Sequence, residues 1–356
     1  MTDRGFTLVE ALVATLLTLG VMGAALSFVA PDSYIAQSRP EAMDVQQRAR
    51  VVADLISRDL FMAGAGPSAG PQTGPLVRYL PPVLPRRVGR TGADPHTTAR
   101  PDRITLVYLP VYAAQTTLHS ALPAGAGSID VDLRPSCPIG RAACGLEEGM
   151  STVVFDDGGN FDFFKVTDVA TPLAGVRHLA SSASQAYGEG VSIAQAELHT
   201  YYFDPARRQL RHYDGDGSDV PVADHVVSVQ FEYWGDPAPP RFPKPAAGSA
   251  NCLYDAAGAP VSGLAWLPTD GASLAPLPLP MLQDGPWCGG GSTVFDADLL
   301  RIGRVRITLR IEASLTGLRG LGVDFANPGT SRHPLRTVPD YSVTFDVSPR
   351  NLSLGR

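Results

Sequence analysis

The sequence carries little charge. Charged residues make up 18% of the 356 residues, the formal net charge at pH 7 is −6, and hydrophobic residues make up 44%. This combination excludes a largely disordered chain and predicts globular structure. The acidic balance is also unlike that of a general nucleic-acid binder. We therefore expect packed domains and no nucleic-acid partner.

Cysteine is scarce as well. The four residues Cys137, Cys144, Cys252 and Cys288 are too widely spaced for a zinc site of the C-x-x-C kind. An even number of cysteines in an exported protein indicates disulfides. Four cysteines allow three pairings, and sequence alone does not choose among them. We favour Cys137–Cys144 and Cys252–Cys288, because each pair closes a Gly/Pro-rich loop locally.

Catalytic motifs are missing too. The seven histidines are scattered, and none belongs to an H-E-x-x-H motif. Residues 66–70 match G-x-S-x-G, but a nucleophile elbow needs a strand before the serine and a helix after it. Here a predicted helix precedes the serine and a proline-rich loop follows it. We expect no enzymatic activity and no cofactor.

One acidic run is a weak metal candidate. Asp214, Asp216 and Ser218 could offer oxygen atoms to Ca²⁺, but an EF-hand loop would have Gly in place of Asp219 and Glu in place of His225. We favour a polar turn between two strands, with a calcium loop as the alternative.

The N-terminus contains a long apolar run. Residues 6–30 hold a single charge, Glu10. As a helix, these 25 residues rise about 1.5 Å each and reach roughly 37 Å, enough to cross a bilayer core of about 30 Å. Carboxylates inside such segments are costly and tend to be functional and paired. An ordinary secretory signal has no reason to keep one in its apolar core.

The run Gly5-Phe6-Thr7-Leu8-Val9-Glu10 resembles the prepilin processing motif of type IV pilins and type II secretion pseudopilins. The resemblance implies that residues 1–5 are a leader removed by prepilin peptidase after Gly5, and that Phe6 is then N-methylated. It also implies that Glu10 faces the N-terminal amine of a neighbouring subunit. A buried carboxylate and a buried ammonium cost less together than apart, so this pairing would set the register between subunits.

After the membrane segment the helical period returns. Pro31 and Pro40 favour a kink or break, and residues 31–66 are interpreted as the periplasmic half of the N-terminal helix. The helix should end near the Gly/Pro cluster at residues 64–67. Spacings of 3 and 4 predict one helix face that packs onto a sheet; it comprises Val45, Ala49, Val52, Ile56 and Leu60.

The sequence after the N-terminal helix predicts a β-rich globular domain over residues 103–356. A Pro/Gly-rich connection, residues 67–102, precedes it and includes one short strand at Leu76–Leu80. Residues 157–160 read as a hairpin turn. An insert at residues 236–297 holds 11 prolines. If the insert binds a partner, its tryptophans Trp266 and Trp287 are the candidate contact residues. Period-two patterns predict strands at Ile104–Leu109, Ile129–Leu133, Thr152–Phe155, Phe161–Val166, Leu198–Phe203, Gln209–Tyr213, Val226–Tyr233, Val305–Ile311 and Val343–Val347.

These features predict an α+β fold in which a long N-terminal helix packs on antiparallel sheet. The chain also resembles the larger minor pilins of the PilW-like group, in parts of residues 51–64, 200–233, 304–311 and 349–352. The resemblance implies a minor pilin that helps initiate or cap a type IV pilus. Its partners would be prepilin peptidase, other major and minor pilins and the inner-membrane assembly platform.

The same resemblance implies a location and leaves two other functions open. The chain would cross the inner membrane once, place its C-terminal domain in the periplasm, and reach the cell surface after assembly. One alternative is a type II secretion pseudopilin of the J type. The other is a pilus-tip adhesin or DNA-uptake subunit that uses the insert as its contact surface.

Overall fold

The computed structural model describes residues 7–134, 137–138, 141–170, 175–178, 183–261, 263–269, 273–332 and 336–354. At residues 27–37, 170 and 175–178 it describes the backbone alone. The chain divides into two compact units. One consists of residues 1–50 and 310–341, and the other of residues 51–309 and 342–356.

A single long helix, α1, runs from Leu8 to Met62. Neither Pro31 nor Pro40 ends it, which corrects the expectation of a break at those residues. A proline inside a helix removes one backbone hydrogen bond and costs roughly 3 kcal/mol. The flanking residues are mostly good helix formers such as Ala, Leu, Met, Gln and Arg. The helix therefore continues on both sides of each proline.

The C-terminal end of α1 agrees with the predicted stop. The amide of Ala63 donates to the carbonyl of Asp59 at 3.0 Å, and Gly64 follows with a φ of +81°. A left-handed residue after the last turn is a common helix ending, and glycine adopts it at the lowest cost. A Cβ at Gly64 would also lie 2.9 Å from Leu352 Cδ2, so a side chain has no room there.

The predicted apolar face of α1 is buried. Val45 and Ala49 are 1% exposed, and Val52, Ile56 and Leu60 are fully buried. In the second unit the C-terminal end of α1 lies against the strand Arg103–Tyr108. The amide of Gly64 donates to the carbonyl of Val107 in that strand at 2.9 Å. The predicted helix-on-sheet packing is confirmed for this part of the helix.

The strands follow in chain order, and a short helix, α2, closes the chain at Arg350–Ser353. They are β1 (Val83–Leu84), β2 (Arg103–Tyr108), β3 (Gln115–Thr117), β4 (Ser128–Asp130), β5 (Ser151–Phe155), β6 (Phe161–Ala170), β7 (Gly175–His178), β8 (Ser192–Gln195), β9 (Glu197–Asp204), β10 (Gln209–Tyr213), β11 (Asp219–Asp224), β12 (Val226–Gly235), β13 (Ala275–Leu277), β14 (Trp287–Cys288), β15 (Phe295–Asp296), β16 (Ile302–Ile311) and β17 (Tyr341–Val347).

These strands form several sheets, and the predicted α+β class is confirmed. The strand orders are β1-β2-β9-β10-β11, β3-β8-β5-β6-β7-β4, β13-β12-β16-β17 and β14-β15. In the first two sheets each neighbouring pair is antiparallel. The six-stranded sheet has its own apolar core, which includes Leu118, Val154, Phe164 and Ile193.

Every strand predicted from period-two patterns is present, with ends that shift by a few residues. The predicted strand at Leu76–Leu80 is wrong, because Leu76–Arg78 forms a 3-10 turn after Pro75. The patterns missed the other eight of the 17 strands that the structure describes. Two of these eight, β11 and β13, contain Pro221 and Pro276 and lie at sheet edges. Proline is tolerated there because an edge strand leaves part of its backbone unpaired.

The proline-rich insert is tied to the sheets at its ends. Strand β13 pairs with β12, with Tyr233 opposite Leu277 and Gly235 opposite Ala275. A buried 3-10 turn over Ala297–Arg301 then leads into β16. The insert therefore adds an edge strand to the third sheet, which sequence reasoning did not foresee.

In the first unit a long loop after β16 contacts α1. The carboxylate of Glu41 accepts hydrogen bonds from the backbone and hydroxyl of Ser314. Within the loop Arg319 and Glu312 form a buried ion pair at 3.3 Å, with side chains at most 3% exposed. Charges this deeply buried persist only when paired, so this pair holds the loop in one conformation.

Candidate functional site

The start of α1 is closed by a reciprocal pair of side chains. The Thr7 amide and hydroxyl both donate to Glu10 Oε2 at 2.9 Å, and the Glu10 amide donates to Thr7 Oγ1 at 3.3 Å. This arrangement is a capping box, in which two side chains satisfy backbone donors that the first helical turn leaves unpaired. It holds the Glu10 carboxylate at the N-terminal end of the helix.

The helix behind this cap exposes apolar side chains all round. Residues 8–26 form a helix that is long and apolar enough to cross a membrane by length and composition, and none of this span is buried. Contiguous apolar surface of this kind marks an interaction with lipid or with other apolar surfaces. The exposed side chains include Leu8, Val9, Leu12, Val13, Leu16, Leu17, Leu19, Val21, Met22 and Leu26, each at least half exposed.

The predicted processing residues lie outside this description. Gly5 and Phe6 precede Thr7, where the described residues begin. Cleavage after Gly5 and methylation of Phe6 therefore stay predictions. Of the three N-terminal residues singled out from the sequence, Glu10 is the one that the structure describes.

The cysteines form the two disulfides that the sequence analysis favoured. Cys137 is bonded to Cys144, and Cys252 is bonded to Cys288. The second disulfide joins the irregular part of the insert to β14, so it links residues that lie 36 apart in the sequence.

The acidic run considered for calcium is the turn between β10 and β11. One oxygen of Asp214 accepts the amides of Asp216, Gly217 and Ser218 at 3.0 to 3.1 Å. Asp216 accepts from Lys165 Nζ at 2.6 Å. These oxygen atoms are engaged by N–H donors of the protein, as expected for a polar turn.

A cavity with a volume of about 370 Å³ lies beside β6. Its wall includes Arg86, a buried residue that donates to the carbonyls of His96 and Val294. Burial lowers the pKa of Arg86 to about 10. Lys165 also lines this cavity and bonds Asp216. Its cationic groups are thus largely engaged by the protein itself.

Comparison with known proteins gives one partial similarity. No protein-family model matches the chain. The chain is 34% identical over 87 residues to the pilin-like protein PilA3 of Thermus thermophilus, a match that covers 24% of this chain. It covers 37% of PilA3, so the chain spans well under half the length of this relative. The similarity supports a relationship to type IV pilin-like proteins.

This pilin-like relationship fits both the capped apolar helix and the sheet-covered second half of α1. It does not distinguish a minor pilin from other pilin-like proteins.

The insert carries the two tryptophans considered as anchors, of which Trp266 is 71% exposed and Trp287 is 39% exposed.

The structure also brings together three residues that sequence reasoning did not connect. His199 Nδ1 lies 2.8 Å from His212 Nε2 and 3.3 Å from Asp59 Oδ2. His212 lies opposite Tyr201 in the β9–β10 pair, so His199 and His212 share one face of the sheet. Both strands were predicted, and pairing them as a hairpin would have revealed this approach.

Proposed function

We propose that this protein is a minor pilin, a structural subunit that helps initiate or cap a type IV pilus. The observation that carries the proposal is the capping box formed by Thr7 and Glu10 on a fully exposed apolar helix. The similarity to PilA3 supports the same assignment at the level of pilin-like proteins.

In this proposal residues 8–26 hold the chain in the inner membrane before assembly and in the filament afterwards. The β-rich part lies in the periplasm and reaches the cell surface within the pilus. Prepilin peptidase cleaves after Gly5, and the assembly platform and other pilins are the remaining partners. The protein acts as a structural subunit and has no catalytic role.

Glu10 has two roles in this proposal, and they use different atoms. Both hydrogen bonds from Thr7 end on Oε2, so this oxygen closes the helix of its own chain. We assign Oε1 to the amine of Phe6 in a neighbouring subunit. A charge in an apolar bundle is tolerated when a counter-ion accompanies it. The first role needs only an acceptor oxygen, whereas the second needs a negative charge.

Two matched variants separate these roles. Glu10→Gln keeps an acceptor oxygen for the Thr7 amide but removes the charge, whereas Thr7→Ala weakens the cap but keeps the charge. We expect Glu10→Gln to lose incorporation into sheared filaments at least tenfold, and Thr7→Ala to keep most of it. Immunoblots of sheared filaments and of membranes measure both, and equal incorporation of Glu10→Gln and the unaltered chain would sink the charge-pairing role.

Processing is tested separately. Mass spectrometry of the mature N-terminus should find methyl-Phe6, and an intact Met1 would argue for a simple membrane anchor. Deleting the gene should reduce the number of surface pili while leaving protein secretion unchanged. Loss of secretion with normal pili would favour a pseudopilin instead.

A further inference from the structure

Three side chains with metal-ligand atoms converge inside the second unit. They come from three elements: Asp59 from the last turns of α1, His199 from β9 and His212 from β10. Their ligand atoms all lie within 4.8 Å of one another. Asp59 is buried, and the two imidazoles are partly buried, so the group lies beneath the surface at the join between helix and sheet.

The separations match those between ligands of a single ion. A metal bound at about 2.0–2.1 Å to nitrogen and oxygen has neighbouring ligands roughly 3.0–3.4 Å apart. The observed separations are 2.8 Å between the imidazole nitrogens and 3.3 Å between His199 and Asp59. Both separations are within a few tenths of an ångström of this spacing, and the third pair of ligand atoms, on His212 and Asp59, lies within 4.8 Å.

Hydrogen bonds with two tyrosines already orient two of the three ligands. The Tyr201 hydroxyl donates to Asp59 Oδ2, and the Tyr108 hydroxyl lies 3.1 Å from His199 Nε2. The Tyr108 ring also stacks on the His199 imidazole, with an angle of 2° between the ring planes. Metal-binding histidines usually engage their second nitrogen in this way, which fixes the tautomer and leaves the other lone pair for the metal.

Hydrogen bonds within the protein do not pair every donor and acceptor atom of these three side chains. If His199 donates from Nε2 to Tyr108, its Nδ1 is an acceptor. It can then accept a hydrogen bond from His212 Nε2, but the same lone pair faces the Asp59 carboxylate at 3.3 Å. If Nδ1 carries the proton instead, it can donate well to His212 or to Asp59 but not to both. A divalent cation would satisfy all three groups at once.

We propose that Asp59, His199 and His212 bind one divalent transition-metal ion, for which Zn²⁺ is the best-fitting candidate. Two imidazoles and a carboxylate are a ligand set that suits Zn²⁺, with Cu²⁺ and Ni²⁺ as competitors. The ion would link the end of α1 to the hairpin of β9 and β10 and act as a structural clamp. This inference does not depend on the proposed function.

A second acidic group is less suitable. Asp284, Asp296 and Asp298 also lie close together. Asp298, however, forms a buried ion pair with Arg301, and Asp296 accepts the amides of Gly285 and Asp298. The protein itself supplies the donors for the carboxylates of Asp296 and Asp298, which makes this group less suited to a cation.

The test uses the full chain, purified in detergent and freed of metal by a chelator. Isothermal titration with Zn²⁺ should give one site per chain. At a free Zn²⁺ concentration of 100 times Kd, Tm should rise by roughly 5–10 °C. Replacing Zn²⁺ by Co²⁺ should produce visible absorption typical of nitrogen and oxygen ligands. A chain that binds no Zn²⁺ would overturn the proposal.

Variants show whether these residues form the site. His212→Gln should lose the Zn²⁺-dependent rise in Tm and weaken binding at least tenfold. The control is His119→Gln, which alters a 71% exposed histidine that pairs with Asp132 outside the cluster. It should bind Zn²⁺ as the unaltered chain does. If His212→Gln binds as tightly as the control, or if His119→Gln alone abolishes binding, the assignment is wrong.

A third variant guards against misfolding. Asp59→Asn keeps an acceptor oxygen for the Tyr201 hydroxyl but is a much poorer ligand than a carboxylate. Its metal-free circular dichroism spectrum and Tm should match those of the unaltered chain, while its affinity for Zn²⁺ should fall at least tenfold. Unchanged affinity in this correctly folded variant would remove Asp59 from the site.

Discussion

The two ends of α1 show how one helix can serve two environments. Over residues 8–26 the apolar side chains point in every direction and none is buried. From Val45 to Leu60 the apolar residues form one stripe, and that stripe is fully covered by the protein. A helix that is apolar all round needs lipid or other helices, whereas one apolar face needs only a neighbouring sheet. The distribution of apolar residues around the helix therefore separates the two roles more clearly than hydrophobicity alone.

The largest expected effect comes from placing a charge in each region. Leu16 is 64% exposed and Val51 is 52% exposed, so neither side chain is needed by the fold. Leu16→Arg should lose membrane insertion, because arginine replaces leucine at the centre of the span at a cost of roughly 3–4 kcal/mol. Val51→Arg should be tolerated. Fractionation of membranes measures both, and equal membrane recovery of the two variants would remove the distinction between the regions.

The two disulfides offer a second test, within the β-rich part. They close loops of 36 and 7 residues. Loop-closure entropy predicts a loss of about 4 kcal/mol when Cys252 and Cys288 are both changed to Ser, and about 2 kcal/mol for Cys137 and Cys144. Urea unfolding measures both losses. A greater loss from the short loop would show that local packing, rather than loop length, decides their contribution.

Truncating the buried stripe should have an effect of similar size, confined to one region. Leu60 is fully buried, and Leu60→Ala should lower the free energy of unfolding by about 2–5 kcal/mol because it leaves a cavity. The matched change Leu16→Ala should leave unfolding of the β-rich part within about 0.5 kcal/mol of the original. A large loss from Leu16→Ala would mean that the first region also packs on the protein.

The smallest effect is expected at an exposed pair. The pKa of His119 is raised, chiefly by its hydrogen bond to Asp132 at 2.8 Å. Protonated His119 therefore favours the folded chain below its unfolded pKa of about 6.5, and this contribution is lost as pH rises through the raised pKa. NMR titration should find a lower pKa for His119 in Asp132→Asn. An unchanged pKa would show that the pair does not form in solution.

Local patterns predicted most of the fold. The spacing of Val45, Ala49, Val52, Ile56 and Leu60 identified the buried face of α1, and strict alternation identified β12 and β16. The turn between β5 and β6 was also recognised from Asp157-Gly158-Gly159-Asn160. Each of these signals lies within one element or one turn, where neighbouring residues alone decide the conformation.

The predictions from sequence failed where residues distant in the chain decide the local conformation. Leu76–Leu80 has the composition of a strand, but Pro75 starts a 3-10 turn, and the segment is buried against other parts of the second unit. Strand β13 contains a proline and is a strand because β12 offers it an edge. Arg86 lies in the Pro/Gly-rich connection, where a charged side chain would be expected on the surface, yet it is 5% exposed and bonded to two backbone carbonyls.

The sequence by itself determined the apolar anchor with its single carboxylate, the amphipathic face that follows, and the strands that alternate cleanly. These depend on periodicity, which a linear sequence displays directly. Only the tertiary structure decided that Asp59 meets His199 and His212, because those residues lie on three elements and are up to 153 positions apart. Burial and long-range pairing bring such residues together, and neither is written in the local pattern of any one of them.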